Sequence, residues 1–122
     1  MKPKYHFFKN TQYALEGIKT LLKYEISFRI ELFVMIPCVI FSFFLPISAI
    51  EQILLISVLF LILIIEALNS SIEACVDLIT DKWHKQAKIA KDCASAAVFF
   101  SIVLALIVWF IVLFQAFWIP IF

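Results

Sequence analysis

The sequence predicts an all-α integral membrane protein, with an amphipathic helix on the membrane surface followed by three transmembrane helices, all in one domain spanning residues 1–122. Three observations predict it. Hydrophobic residues make up 65% of the chain and charged residues only 16%, whereas soluble domains run at roughly 45–50% and 25%. Long apolar runs recur at about the 20 residues that a helix needs to cross a hydrocarbon core of about 30 Å. The cations are unevenly placed: six of ten (Lys2, Lys4, Lys9, Lys19, Lys23, Arg29) precede the first apolar run, and the other four (Lys82, Lys85, Lys88, Lys91) separate the second from the third.

The surface helix is expected over about residues 5–28, where Phe8, Leu15, Ile18, Leu22 and Ile26 share one side while Lys9, Glu16, Lys19 and Lys23 take the other. Such a pattern lays a helix in the interface plane. The first span is expected at about 30–50, with an uncharged core from Leu32 to Ile50, Pro37 as a kink and Pro46 as its end or a turn. The second, at about 52–76, carries one charge between Gln52 and Ile72, Glu66. The third, at about 90–118, opens an uncharged tail from Cys93 to Phe122, longer than one perpendicular span needs, whose excess tilt or a terminal interfacial piece, FWIPIF, would absorb. By the positive-inside rule the N-terminus and the 73–92 region are cytoplasmic and the C-terminus lies on the far side.

A net charge of +1 gives no bulk electrostatic case for nucleic acid. The start, MKPKYHFFKN, lacks the apolar core and cleavage site of a signal peptide. Cys38, Cys75 and Cys93 show no C-x-x-C spacing and read as packing residues.

The chemistry concentrates in IIEALNSSIEACVD, residues 64–77. At about 100° per residue, Glu66, Asn69, Ser70, Glu73 and Asp77 fall within roughly a 100° arc of one helix. A charge at mid-bilayer costs at least ~2.5–3.5 kcal/mol, so such a face calls for a purpose or a polar partner. Glu66 precedes Glu73 by two turns, about 10 Å at 1.5 Å per residue. With Glu73 near the cytoplasmic surface, Glu66 lies at the depth of lipid glycerol. Two further clusters face the same leaflet: EISFRIE, where Glu25 and Arg29 are spaced to pair, and KIAKDCASAA, where Lys88, Lys91, Asp92 and Ser95 share a side. Carboxylates with open positions suit Mg²⁺ carrying phosphate, a lysine neutralises phosphate charge, and a remaining carboxylate takes a hydroxyl proton. Metal–nucleotide chemistry on a lipid hydroxyl fits that set. With a single glycine, Gly17, there is no phosphate loop of known type, and His6 and His84 have no second ligand at zinc spacing.

EALNSSIEACVD, KWHKQAKIAKDCASAA and EISFRIE resemble the signature segments of the small integral-membrane bacterial diacylglycerol kinases, over a stretch from about Tyr13 to Trp109. That resemblance implies a homotrimer of three-span chains in the bacterial inner (cytoplasmic) membrane, with sites shared between subunits and open to the cytoplasm. It implies transfer of the γ-phosphate of MgATP to the hydroxyl of diacylglycerol, giving phosphatidic acid. By motif position Glu66 corresponds to the proton acceptor, Glu25 and Glu73 to the ligands of the nucleotide's Mg²⁺, and Asn69 and Asp77 to supporting groups. Tyr13, Glu25, Glu73, Trp83, His84, Lys91 and Asp92 correspond to ATP contacts, and Arg29, Glu31, Glu66 and Ser95 to lipid contacts. The chain departs from the family pattern at His6, which stands where a basic residue is expected. Ala94 and the AKIAKD segment lean toward the related undecaprenol kinases, whereas Glu31 and Ser95 lean toward diacylglycerol. An undecaprenol kinase, an ion-coupled transporter using Glu66, and an assembly subunit without chemistry therefore stay open.

Overall fold

Helix-forming apolar runs become four helices in the computed structural model, which describes residues 6–118: α1 (Phe7–Tyr24), α2 (Ile26–Ser42), α3 (Ala49–Ile79) and α4 (Lys85–Phe117). Tyr5, Lys2, Lys4 and the interfacial tail from residue 119 onward lie outside the described residues.

The expected surface helix is divided. It breaks at Glu25, whose backbone is extended (φ −109°, ψ 106°), so that α2 starts as a separate helix. No residue of α1 is buried, and its apolar face (Phe8, Leu15, Ile18, Leu22) is exposed, as a helix lying in a membrane interface requires. Pro37 sits inside α2.

The first apolar run is shorter as a helix than its hydropathy indicates. α2 ends at Ser42, well before Ile50, because Ser42 Oγ folds back to Val39 O at 2.6 Å and the next amides turn more tightly: Phe43 N to Ile40 O at 3.2 Å and Phe44 N to Phe41 O at 3.0 Å. Pro46 disfavours helical backbone at Leu45 and closes the option of continuing. The 17 residues of α2 rise about 25 Å, short of the roughly 30 Å core, and an apolar turn through Phe43–Leu45 follows. On length and composition two helices qualify as spans, α3 and α4, whose most apolar 18-residue stretches have mean hydropathies of 2.5 and 3.0.

Both are longer than expected. α3 begins at a reciprocal cap in which Ser48 Oγ accepts from Glu51 N and Glu51 Oε1 accepts from Ser48 N, each at 3.1 Å. Its 31 residues rise about 46 Å, so one end stands clear of any hydrocarbon core. α4 starts at Lys85 on a His84 cap, whose Nδ1 accepts from Gln86 N at 3.1 Å. The 73–92 region is mostly helix, its two halves joined by residues 80–84.

α4 packs along α3, α2 packs on the same helix, and α1 meets the rest chiefly through α2. The buried residues of α4 are mostly small, Ala94, Ser101 and Ala105, while those of α3 toward its start are Leu55, Val58 and Leu59. Small side chains bring helix backbones together where lipid supplies no hydrophobic drive for association. Trp109 Nε1 donates to Leu55 O at 3.2 Å across the seam. Large apolar side chains face outward along the helices, among them Phe33, Phe60, Phe99, Phe100 and Phe110. With that surface the chain is a membrane protein. All three cysteines are free, but only Cys38 is half-buried; Cys75 and Cys93 are exposed, so within the single chain they are not packing residues.

Candidate active site

The polar arc of α3 is where the sequence puts it, and its burial is graded. Glu66 is only 4% exposed and Asn69 9%, Glu73 is half-buried and Asp77 is exposed. The face therefore runs from a closed interior position to the open end of the helix over about 16 Å.

Glu66 meets Glu31 of α2: the two carboxyl groups face one another across the helix pair. Glu31 Oε2 is buried without a hydrogen-bond partner. Asn69 neighbours Glu66 and donates Nδ2 to Glu73 Oε1 at 3.3 Å, while its own Oδ1 is buried and unpartnered. Glu25 and Glu73 both lie within electrostatic reach of Glu66. The break between α1 and α2 explains how Glu25 joins the group: as the residue before α2 it makes no side-chain capping bond, and its half-buried carboxylate is left to the site.

The expected Glu25–Arg29 pair does not form. Arg29 Nη1 instead donates to Leu22 O and Lys23 O, both at 2.9 Å. The break strands the last carbonyls of α1, and a guanidinium one turn into α2 is the nearest donor that satisfies them. Arg29, expected among the lipid contacts, thus has a structural task within the chain.

On the open side, Lys91 of α4 binds Asp77 of α3 at 2.7 Å, and Lys88 binds Asp92 at 2.5 Å. Lys91 is also within electrostatic reach of Glu73. These lysines are engaged with acids of the chain itself. Asp77, Trp83, His84, Lys91 and Asp92 line one polar pocket of about 320 Å³ at the α3–α4 turn, with Lys88, grouped with Lys91 and Asp92 by helical spacing, and Lys82, which spacing did not single out. Trp83 is exposed, and His84 has its ring nitrogen committed to the α4 cap. Tyr13 is half-buried on α1 and Ser95 exposed on α4.

A second cavity, of about 370 Å³, lies on the other side of Glu66 between α2, α3 and α4, with Glu31 at one end and an otherwise apolar lining. The order along α3 is then an apolar cavity at Leu59 and Ile62, the carboxyl group of Glu66, the Asn69–Glu73 pair, and a polar pocket from Val76 onward.

Among the described residues no three His, Cys, Asp or Glu side chains cluster closely enough to hold an ion by themselves. Glu25 and Glu73 each act on Glu66 electrostatically, and the buried Asn69 Oδ1 is unpartnered; carboxylate and amide oxygens are the hard donors that Mg²⁺ takes alongside phosphate oxygens and water.

A family model described as prokaryotic diacylglycerol kinase matches residues 12–113. A diacylglycerol kinase of Haemophilus influenzae is 39% identical over 85% of this chain and 88% of its own length. One of Escherichia coli K12 is 38% identical over 89% of each chain, and one of Pseudomonas aeruginosa 36% identical over 81% of this chain and 80% of its own.

Proposed function

The chain belongs to the prokaryotic diacylglycerol kinase family, and from that premise we propose that it transfers the γ-phosphate of MgATP to the hydroxyl of diacylglycerol at the cytoplasmic face of a bacterial inner membrane. The observation that carries this reading is the placement of Glu66, a buried carboxyl between an apolar cavity and a polar pocket on one continuous helix. A lipid alcohol and a nucleotide need those two environments side by side. A transporter that uses a membrane acid commonly sets it beside a broken helix, whereas α3 runs unbroken from Ala49 to Ile79.

In this reading the hydroxyl oxygen attacks the γ-phosphorus, the bond to the β-bridging oxygen breaks, ADP leaves and Glu66 accepts the hydroxyl proton. Glu31, which faces the Glu66 carboxyl, contacts the lipid headgroup beside it and leaves the hydroxyl's single proton to Glu66. Glu25 and Glu73 would hold Mg²⁺, which when bound neutralises the charge of the phosphates. Asn69 fixes the Glu73 carboxylate by its hydrogen bond. Lys91 exchanges part of its contact with Asp77 for phosphate oxygens. Trp83, His84 and Asp92 line the nucleotide's pocket, with Tyr13 approaching from α1 and Ser95 from the lipid side. Phosphoryl transfer asks mostly for position and charge neutralisation, which this set supplies.

The protein acts as a homotrimer in this account, with neighbouring copies completing each site. The broad apolar faces of α3 and α4 leave room for such contacts. Ala94, which leans toward the undecaprenol alternative, is buried, where a small side chain also serves helix packing.

The test offers diacylglycerol and undecaprenol side by side, with γ-labelled ATP and Mg²⁺, to the purified protein in micelles. Label in phosphatidic acid at a rate well above label in undecaprenyl phosphate is the expected result. Preferential labelling of the polyprenol would replace the acceptor, and ATP-independent behaviour of both would remove the kinase reading.

A further inference from the structure

Lys88 stands where helix chemistry disfavours a cation. It closes the first turn of α4, which carries no acid, and a positive charge at that end opposes the positive pole of the helix dipole. Its ammonium binds Asp92, four residues on, at 2.5 Å, and both side chains are largely open to water. Exposed pairs at this spacing hold weakly, and cation before acid is the poorer order of the two. Helix stability therefore does not account for a lysine at this position.

Its surroundings do. Lys88 lines the polar pocket of about 320 Å³ beside Trp83, His84, Lys91 and Asp92, the residues assigned above to the nucleotide. Lys91 follows three residues later, about 60° round the helix and about 4.5 Å along it. Because α4 runs back along α3, that step leads toward the level of Glu66. Lys91 bridges to Asp77 there and lies within electrostatic reach of Glu73. Two ammonium groups thus follow one another along one wall: the inner beside a carboxylate read above as a metal ligand, the outer toward the loop of Trp83 and His84. The charges of the pocket balance, with Asp77, Asp81 and Asp92 against Lys82, Lys88 and Lys91. A polyphosphate then gains a cation most readily where an internal pair gives way. Lys88–Asp92 joins neighbouring turns of one helix and can open without disturbing the packing of α3 on α4, which Lys91–Asp77 ties together.

We propose that Lys88 is a second phosphate-binding cation of the nucleotide site, leaving Asp92 for the α- and β-phosphates, the part of ATP that departs as ADP. The inference rests on the kinase reading above and gives a role to a residue that reading does not use. A contact to phosphates that are not transferred is made equally before, during and after the reaction. It strengthens the binding of ATP and ADP alike and leaves the chemical step unchanged.

The test measures kcat, KM for MgATP and the inhibition constants of MgADP and adenosine, on the full-length protein in micelles of a phosphorus-free detergent. In Lys88→Gln the KM and the ADP constant should rise roughly tenfold, with kcat held within about twofold and the adenosine constant unmoved. Lys88→Arg, which keeps the charge, should restore most of the affinity. Lys85→Gln removes a charge from the same turn at a position outside the pocket lining and should leave all four values as they are. An ADP constant unmoved by Lys88→Gln, an equal rise for adenosine, or an equal loss in Lys85→Gln would overturn the assignment and leave the kinase reading intact. An unmodified protein that neither transfers phosphate from ATP nor binds ADP would overturn both. A measurement free of turnover separates a phosphate contact from mere neutralisation of Asp92. With lysine side-chain nitrogens isotopically labelled and MgADP at saturation, solid-state nitrogen–phosphorus dephasing should report contacts from Lys88 and Lys91, and Lys88→Gln should lose the former. Dephasing undiminished in that variant would leave Lys88 as a partner of Asp92 alone.

Discussion

Glu73 and Arg29 show how the side-chain environment separates two roles that look alike in the sequence. Glu73 is half-buried and accepts a single hydrogen bond from Asn69 at 3.3 Å, so most of its lone-pair capacity is left for a ligand. Glu73→Gln keeps the shape and removes the charge. Affinity for Mg²⁺–nucleotide should then drop by roughly tenfold to a hundredfold, read by nucleotide titration with and without the metal; unchanged, metal-dependent affinity would remove Glu73 as a ligand. Arg29 spends its guanidinium on Leu22 O and Lys23 O. Arg29→Ala should therefore loosen the end of α1, costing about 1 kcal/mol, visible as faster amide exchange at the α1–α2 junction. Arg29→Lys should rescue little, because an ammonium lacks the planar fork that reaches along two successive carbonyls. Protection at that junction equal to the unmodified protein's in both variants would contradict the capping role.

At the level of elements, the starts and stops of helices follow local chemistry. Ser48 and Glu51 satisfy each other's backbone amides at the start of α3. Ser48→Ala should lower stability by about 1 kcal/mol, measured as an earlier midpoint in denaturant-titrated micelles, with little change in nucleotide affinity because the cap lies at the opposite end of α3 from Glu73. A large loss of nucleotide affinity would mean that the two ends of the helix are coupled. The polar arc of α3 was legible because periodicity of 3.6 residues alone puts Glu66, Asn69, Glu73 and Asp77 on one side. The Ser-x-x-Glu start of α3 is equally local and could have been read from residues 48–51. Two other features were not legible. Phe43, Phe44 and Leu45 continue the apolar run past the end of α2, so hydropathy cannot report where hydrogen bonding changes from helix to turn. The break at Glu25 falls in a stretch with neither Gly nor Pro, and what fixes it, the reach of Arg29 back to α1, is a contact between helices that spacing alone does not disclose.

For the molecule as a whole, the same arrangement gathers the charged groups of the candidate site toward one end of the α3–α4 pair. Cys75 and Cys93, exposed near that end of α3 and α4, should react with a membrane-impermeant maleimide only when the cytoplasmic face is open. A cysteine placed at Ser48, in the turn between α2 and α3, should react only from the other face; the reverse pattern would invert the orientation. The clusters in EISFRIE, EALNSSIEACVD and KIAKDC could be assigned to one face from charge placement alone, but their pairing could not: the Lys91–Asp77 bridge and the Glu31–Glu66 contact join separate helices. The central claim is that the buried Glu66 takes the proton of a lipid hydroxyl while other residues hold the nucleotide. It is tested most directly by Glu66→Gln, assayed for phosphatidic acid formation and for MgATP affinity on the same folded preparation. The account predicts loss of transfer by at least about a hundredfold with nucleotide affinity changed by no more than a few-fold. Transfer at the unmodified rate would contradict it.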